Sequence, residues 1–431
     1  MSNAKWIIAC RIMRSVIQFL VGILTARYLG PGNYGLVNYA AAVTAFATPI
    51  MQLGMNSILV QEYVGNPTEQ GRIAGTQLVM NIVSALACMV GVTTFAAIAN
   101  PGETVTIVVC ALYSASLLFQ AIEMLQYWFQ ARLLSKYSSL AMLSAYLVVS
   151  VYKVVLLISG QNIYWFTLAY AVEYGVTGLL LVVAYHRVCD QRLSFSWPLL
   201  KKMFSKSRYY IGAMLMEVVY SWVGNILIKQ IYGETENGFY AAAVTCTCIT
   251  TFVFQAIIDT ARPVVLESRQ QSQKAFEKNI SRTYALVIWL ALAQSIAFTL
   301  FAKLVIKILY GHDYLAAIPV LQILCWNAAF IYMGHVRNIW ILGEEKHRFL
   351  WIINLSGAVV SVGLNALMIP AWGACGAAMA SVVVQIFTNF IMGFLIKPIR
   401  ANNRLLLKGM NPKLLITTVA GFLRAGAKEK T

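Results

Sequence analysis

The chain has 431 residues, of which 59% are hydrophobic and 11% are charged, and its formal net charge is +17. A soluble protein carries about 25% charged residues, so this composition excludes a soluble domain and predicts an integral membrane protein. The basic excess does not indicate nucleic-acid binding, because no soluble domain interleaves basic with aromatic residues. The eight cysteines match neither a disulfide framework nor a zinc site, and no cofactor is predicted.

Twelve apolar segments are long enough to cross a bilayer, which takes about 20 residues per helix. In chain order they are 6–28, 36–60, 74–99, 105–131, 138–158, 163–186, 208–231, 238–261, 283–305, 315–342, 349–369 and 374–397. Turns that carry Gly or Pro, such as NPGET at 100–104, separate several of them. The sequence therefore predicts an all-α integral membrane protein with twelve transmembrane helices.

Most of the 33 Lys and Arg residues lie in the two ends and in the loops that follow even-numbered segments. The loops on the opposite side are short and nearly free of them. Basic loops stay on the cytoplasmic side of a membrane. The distribution thus predicts a multi-pass protein with both termini in the cytoplasm.

The turn after the first predicted helix recurs near the middle of the chain. ARYLGPGNYGLVNYAAAV begins at residue 26, and KQIYGETENGFYAAAV begins at residue 229. The glycines keep their spacing, with Gly30 and Gly35 aligned to Gly233 and Gly238. Each copy joins the first two helices of one half on the outward side, so we expect two six-helix bundles related by a parallel repeat.

The repeat and the charge distribution together predict four regions. They are an N-terminal bundle at 1–186, a basic cytoplasmic linker at 187–207, a C-terminal bundle at 208–399 and a basic cytoplasmic tail at 400–431. Within the linker, WPLLKKMF at 197–204 fits either an amphipathic helix or an ordinary basic connection.

Ionisable and amide side chains lie inside many predicted helices, where they are costly unless they face water or a partner. Because both halves carry such residues, we expect one central hydrophilic cavity. The candidate cavity-lining, substrate-binding residues are Arg11, Arg14, Gln52, Asn56, Lys153, Asn225 and Arg337. The candidates for ion coupling are Glu123, Glu173, Glu217 and Asp259. Alternatives are that Arg11, Arg14 and Asp259 snorkel to the cytoplasmic surface, or that Glu123 pairs with Lys153.

Five motifs in order then identify a family resemblance. They are ARYLGPGNYG (26–35), YWFQARLLSKY (127–137), NGFYAAA (237–243), LYGHDYLAAIPVLQIL (309–324) and LNALMIPAWGACGAAMAS (364–381). Over about residues 5–400 the chain resembles the polysaccharide-repeat flippases, the O-antigen and capsule branch of the multidrug/oligosaccharidyl-lipid/polysaccharide exporter superfamily. The resemblance implies a V-shaped pair of six-helix bundles in the bacterial cytoplasmic (inner) membrane.

The same resemblance implies a flippase and not an enzyme. Its substrate would be an undecaprenyl-diphosphate-linked oligosaccharide, moved to the outer leaflet by alternating access and coupled to a proton or sodium gradient. Membrane lipids and other polysaccharide-assembly proteins would be its further partners. By position, the cationic lumen of the family maps onto Arg11, Arg14, Lys153 and Arg337, and Arg and Lys are suited to a diphosphate.

Three alternatives remain. A lipid II flippase of the same superfamily usually has two further helices, and a cation-coupled drug exporter needs an acid-dominated cavity. A membrane enzyme of polysaccharide assembly is the third. A polymerase would normally carry a large outward loop. A glycosyltransferase would need a pair of acidic residues on the cytoplasmic side, and Glu344 and Glu345 are the one adjacent acidic pair in the sequence.

Overall fold

The computed structural model describes residues 2–189, 191–346, 348–418 and 420, without the side chains of residues 2–9, 11, 12 and 57. These residues form helices and short connections and contain no strand. The prediction of an all-α protein is therefore confirmed. Contacts divide the chain into two compact units, Met1–Ala241 and Ala242–Thr431, called unit 1 and unit 2 below.

The described residues of unit 1 form nine helices and the start of a tenth. They are α1 (Ser2–Met51), α2 (Leu59–Gly65), α3 (Gln70–Ala99), α4 (Thr104–Ser114), α5 (Ser116–Glu123), α6 (Gln126–Ala131), α7 (Ser135–Ile158), α8 (Ile163–Val188), α9 (Trp197–Tyr232) and α10 (Glu234–Cys248). Helix α1 packs against α3, α4, α7 and α9, and α8 packs against α5 and α7. An aromatic core around Trp128, Phe129 and Tyr185 joins the helices at one end of the unit.

Besides a helical stretch at 412–418, the described residues of unit 2 form further helices. They are α11 (Thr251–Gln271), α12 (Gln273–Leu309), α13 (Ala317–Leu324), α14 (Asn327–Gly343), α15 (Arg348–Ile386), α16 (Met392–Leu395) and α17 (Arg400–Gly409), with a π-helix at Phe387–Ile391. Helix α12 packs against α11, α13, α14 and α17. The core includes Phe254 stacked on Tyr332, with ring centroids 3.9 Å apart.

Among the described residues, eight helical segments are long and apolar enough to cross a membrane, and the bent pair α10–α11 adds a ninth. Two continuous helices contain a sharp bend where the sequence predicts a turn between two crossings. Gly30 (φ 71°) bends α1, and Gly373 (φ 54°) bends α15. Positive φ values of this kind favour glycine. The count of twelve crossings and the central cavity stay predictions.

Two predicted spans are interrupted. The segment 36–60 stops being helical after Met51, because Leu53 and Gly54 adopt positive φ values of 51° and 65°. A Cβ on Gly54 would come within 2.5 Å of the Ser207 carbonyl oxygen of α9, so this break lets α9 approach closely. The segment 105–131 is divided into α4, α5 and α6, which together still form one of the eight segments long enough to cross a membrane.

The region expected to be a linker is mostly helical. Helix α9 begins at Trp197, with Pro198 in its first turn, a position that proline favours. Leu199 and Met203 of WPLLKKMF join the core of unit 1, and Lys206 donates to the buried carboxylate of Glu62. The division between the compact units falls at 241–242 inside α10, and the expected boundaries at 186 and 208 stay predictions. The grouping into six-helix bundles stays a prediction.

The remaining connection is docked onto the start of α3. The Ser194 N–H donates to the Gly71 carbonyl at 3.2 Å, and the Gly71 N–H donates to Gln191 Oε1 at 2.9 Å. A Cβ at Gly75 would lie 2.7 Å from the backbone nitrogen of Ser194. The glycines of α3 thus allow the connection to lie directly on the helix.

Candidate functional site

Four of the predicted ionisable residues lie together inside unit 1. Arg14 comes from α1, Glu123 from α5, Lys153 from α7 and Glu173 from α8. Arg14 Nη2 donates to Glu173 Oε1 at 2.8 Å. Glu123 interacts electrostatically with Arg14 and Glu173, and Lys153 with Glu173. We name these four residues the charge cluster; its two cations and two carboxylates balance.

Tyrosine rings surround the charge cluster. Lys153 Nζ lies 4.4 Å from the centroid of the Tyr170 ring, and Arg14 Cζ lies 5.7 Å from that of Tyr146. The Tyr170 ring also contacts Tyr113, at a centroid distance of 4.7 Å. A cation over an aromatic face is stabilised by the ring quadrupole. The tyrosines therefore stabilise the two cations in a region where water is scarce.

Burial is uneven within the charge cluster. The Glu173 side chain is 9% exposed, and Lys153 is buried as well, whereas the Arg14 side chain is 32% exposed. A buried charge is tolerated when it is paired. Arg14 is thus the member that an incoming anion can reach, while Glu173 is its internal partner. The alternative pair, Glu123 with Lys153, does not occur among the ion pairs of the described residues.

The other predicted site residues of unit 1 lie in different surroundings. Asn56 hydrogen-bonds to Tyr127, whose ring hydroxyl interacts with Glu123, so Asn56 borders the charge cluster. Gln52 is half-buried in the break after α1, and Glu217 is exposed on α9. Asn225 is buried near the end of α9, where its Nδ2 donates to Asn237 Oδ1 at 3.2 Å. The side chain of Arg11 lies outside the described residues.

Arg337 and Asp259 lie in unit 2. Arg337 is buried in α14, and its Nη1 donates to the Thr388 carbonyl oxygen at 2.8 Å. Thr388 belongs to the π-helix, a form that often occurs at functional sites. Asp259 accepts from Gln255 at 3.0 Å and interacts electrostatically with His335, which also neighbours Arg337. The two predicted residues thus share one polar neighbourhood.

Sequence reasoning missed the residues through which the π-helix packs against α14, the helix that carries Arg337. The π-helix side chain of Asn389 donates to Gln385 Oε1 at 2.6 Å and lies against Gly334. A Cβ on Gly334 would overlap the Asn389 amide. The available signal was the presence of three polar residues, Gln385, Thr388 and Asn389, within five positions of an otherwise apolar segment.

An apolar cavity of about 640 Å³ lies elsewhere in unit 1, between α1, α3 and α9. Its walls are almost entirely hydrocarbon, including Phe46, Phe95 and Leu227. Such a surface offers no recognition of phosphate or sugar groups. The charge cluster therefore remains the candidate site in unit 1.

The chain matches the family described as polysaccharide biosynthesis protein over residues 24–319. It is similar to the capsular polysaccharide biosynthesis protein CapF of Staphylococcus aureus, with 20% identity over 400 residues, 89% of this chain and 96% of CapF. It is also similar to a putative O-antigen transporter of Shigella flexneri, with 22% identity over 205 residues. That match covers 47% of this chain and 49% of the transporter.

A further relative is the uncharacterized membrane protein MJ1068 of Methanocaldococcus jannaschii. It is 24% identical over 236 residues, 52% of this chain and 45% of that protein. The chain thus spans about half the length of two of these three relatives.

Solved structures show the same fold. The lipid II flippase MurJ, in an inward closed conformation, matches with a TM-score of 0.75 at 14% identity, over 96% of this chain and 92% of MurJ. An inward-facing multidrug resistance MATE family transporter of the MOP superfamily matches with a TM-score of 0.67 at 16% identity. That match covers 91% of this chain and 96% of the transporter. Together with the family match, these similarities confirm the resemblance indicated by the sequence motifs.

Proposed function

Because the chain belongs to the polysaccharide biosynthesis protein family, we propose that it is a flippase for lipid-linked polysaccharide repeat units. It carries an undecaprenyl-diphosphate-linked oligosaccharide from the cytoplasmic to the outer leaflet of the bacterial inner membrane. The observation that carries the proposal is a charge cluster inside a helical fold that matches a lipid flippase over 96% of the chain. CapF is named for the biosynthesis of capsular polysaccharide, and the Shigella protein is named a putative transporter of O-antigen. Both names agree with a lipid-linked polysaccharide substrate.

In this proposal, the diphosphate competes with Glu173 for Arg14. Arg14 is the exposed member of the pair, and a guanidinium binds phosphate oxygens in a bidentate manner. We assign Glu123 and Glu173 to ion coupling. Uptake of a proton or a sodium ion by either carboxylate in one state of the transporter, and its release in the other, changes the competition for Arg14.

The remaining candidates complete the path. We assign Lys153 to the support of Glu173, and Arg337 with Asp259 to a second polar face. Arg11, Gln52, Asn56 and Asn225 supply hydrogen-bonding groups for the sugars, and Glu217 is a further ion-binding candidate. Opening alternates between the two sides of the membrane, as in other exporters built from repeats.

Deletion of the gene tests the proposal. Surface polysaccharide should disappear while lipid-linked units accumulate on the inner leaflet, where mass spectrometry identifies their sugars. Units displayed outside but left unpolymerised would contradict the proposal and support a polymerase. A lipid II flippase is the second candidate, favoured by the TM-score with MurJ; it predicts accumulation of lipid II and cell lysis instead.

Substitutions test the residues. Lys153→Ala and Arg337→Ala should reduce surface polymer while the protein remains in the membrane at its normal level. Arg72→Ala is the matched control, because Arg72 forms an exposed ion pair with Glu69 at 3.2 Å, and such pairs contribute little. Normal polymer in both test variants would remove Lys153 and Arg337 from the site.

A further inference from the structure

The two copies of the repeated turn contact each other through their backbones. Gly30 and Gly233 adopt similar conformations, with φ and ψ of 71° and 170° and of 87° and −179°. A Cβ at Gly35 would overlap the carbonyl oxygen of Glu234, and a Cβ at Gly238 would overlap that of Pro31. The contact is therefore reciprocal, and neither position has room for a larger residue. We call it the corner contact.

A polar network lies beside the corner contact. Lys229, at the end of α9, donates to Asn100 and, at 2.5 Å, to Glu103 Oε2. Both acceptors belong to the connection between α3 and α4. Gln230 Nε2 donates to the Tyr39 hydroxyl of α1 at 2.8 Å. We call these five residues the corner network.

The network fastens the end of α9 to two other parts of unit 1. Asn100 Nδ2 also donates to the Tyr39 hydroxyl, at 3.0 Å, so α1 and the α3–α4 connection are joined as well. Asn237 of α10 adds a hydrogen bond to the Gly35 carbonyl at 2.8 Å. By the charge distribution, all these residues lie on the side opposite the basic loops.

The burial of the Lys229–Glu103 ion pair suits a contact that is either fully closed or fully open. Lys229 is buried, whereas the Glu103 side chain is 49% exposed. A buried lysine needs its partners, so partial separation is unfavourable. After full separation, water reaches both charges and hydrates them. An apolar contact at this place would hold the helices together without such an alternative.

We propose that the corner network and the corner contact form a lock on the outward side of the transporter, and that the Lys229–Glu103 ion pair breaks whenever that side opens. The proposal rests on the proposed function for the direction of transport. Lys229 is thus a gating residue that holds one state, separate from the groups that bind substrate.

The first experiment measures opening without any substrate. Asn237 is fully buried between the two turns, so Asn237→Cys reacts with a membrane-impermeant maleimide only when they separate. In that background, Glu103→Gln should raise the rate of modification about tenfold, because it removes the partner of a buried charge. Glu69→Gln, which removes an exposed ion pair, is the control and should leave the rate unchanged. Equal rates in all three proteins would overturn the proposal.

The second experiment closes the lock covalently. A Cβ at Gly32 would lie 3.5 Å from Thr235 Oγ1, so side chains at these two positions are in contact, as the two cysteines of a disulfide must be. Oxidation of Gly32→Cys/Thr235→Cys should stop the appearance of surface polymer, and reduction should restore it. Each single variant is a control. Export that continues in fully cross-linked protein would show that this side need not open. Because maleimide modification is measured on the protein alone, failure of the lock can be distinguished from an incorrect substrate.

Discussion

The Arg14–Glu173 pair makes an asymmetric prediction about stability. Removing Arg14 with Arg14→Met leaves the Glu173 carboxylate, 9% exposed, without its closest partner. Removing Glu173 with Glu173→Gln leaves Arg14, whose side chain is 32% exposed and reaches water, and Lys153, whose ammonium keeps its contact with the Tyr170 ring. The first change should therefore cost more than the second.

The magnitudes follow from these exposures. Breaking a buried ion pair costs about 3–5 kcal/mol, and Lys153 retains some stabilisation of Glu173, so we expect about 3 kcal/mol for Arg14→Met. For Glu173→Gln we expect about 1 kcal/mol, the range of exposed pairs. For a unit of this size, about 1 kcal/mol corresponds to roughly 2–4 °C in Tm. Arg14→Met should lower Tm by about 6–12 °C, and Glu173→Gln by about 2–4 °C.

The assay is thermal unfolding of the purified protein in detergent, followed by size-exclusion chromatography with fluorescence detection. The double variant Arg14→Met/Glu173→Gln should be more stable than Arg14→Met alone, because it removes the Glu173 carboxylate that Arg14→Met leaves without its closest partner. Arg72→Met, at an exposed pair, serves as the control. Equal losses from the two single substitutions, or strictly additive losses in the double variant, would refute the asymmetry.

Three further predictions use the same thermal assay. Arg337→Lys should lower Tm, since an ammonium cannot reproduce the guanidinium geometry at the Thr388 carbonyl; an unchanged Tm would show that this bond contributes little. Gly75→Ala should cost about 1–3 kcal/mol through overpacking, whereas Gly91→Ala, with no atom within 4 Å of its Cβ, should be neutral; equal effects would contradict the docked connection. The ion pair with Lys229 and a hydrogen bond from the Thr106 hydroxyl hold the pKa of Glu103 below its ordinary value of 4.5. The stabilisation by the Lys229–Glu103 ion pair is therefore present above pH 4.5 and is lost as the pH falls through the lowered pKa of Glu103. The difference in Tm between wild type and Glu103→Gln should shrink below about pH 4.5. A difference that stays constant down to pH 3 would refute this prediction.

The helical class and the helix-breaking turns were predictable, because apolar length and glycine positions are local properties of a sequence. The bends at Gly30 and Gly373 fall where turns were predicted. Local signals failed where distant contacts decide the structure. The connection lies against Gly71, and Leu199 joins a core formed by other helices. Helix α9 accordingly begins earlier than its apolar segment indicates.

The candidate site was predictable in its residues but not in its pairs. Charges inside apolar segments identified Arg14 and Glu173, yet these two residues are 159 positions apart. The rotation of each helix about its axis decides which charges meet. In strongly hydrophobic helices the pattern of apolar residues does not define that rotation. Lys229 is a related case. It lies at the end of an apolar segment, and its partners come from a connection that the sequence marks only as a turn.

The reciprocity of the corner contact has an evolutionary consequence. In the corner contact, a glycine of each turn lies against a backbone carbonyl of the other turn. An isologous interface between two identical subunits has the same arrangement, because each subunit contributes the same surface. A gene duplication that fused two such subunits would free each half of the interface to change separately. Tyr34 and Asn237 occupy the same place, four residues after Gly30 and Gly233, and the Asn237 amide donates to the Gly35 carbonyl oxygen of the opposing turn. The backbone thus preserves a dimer-like symmetry, while its side chains have become those of two specialised partners.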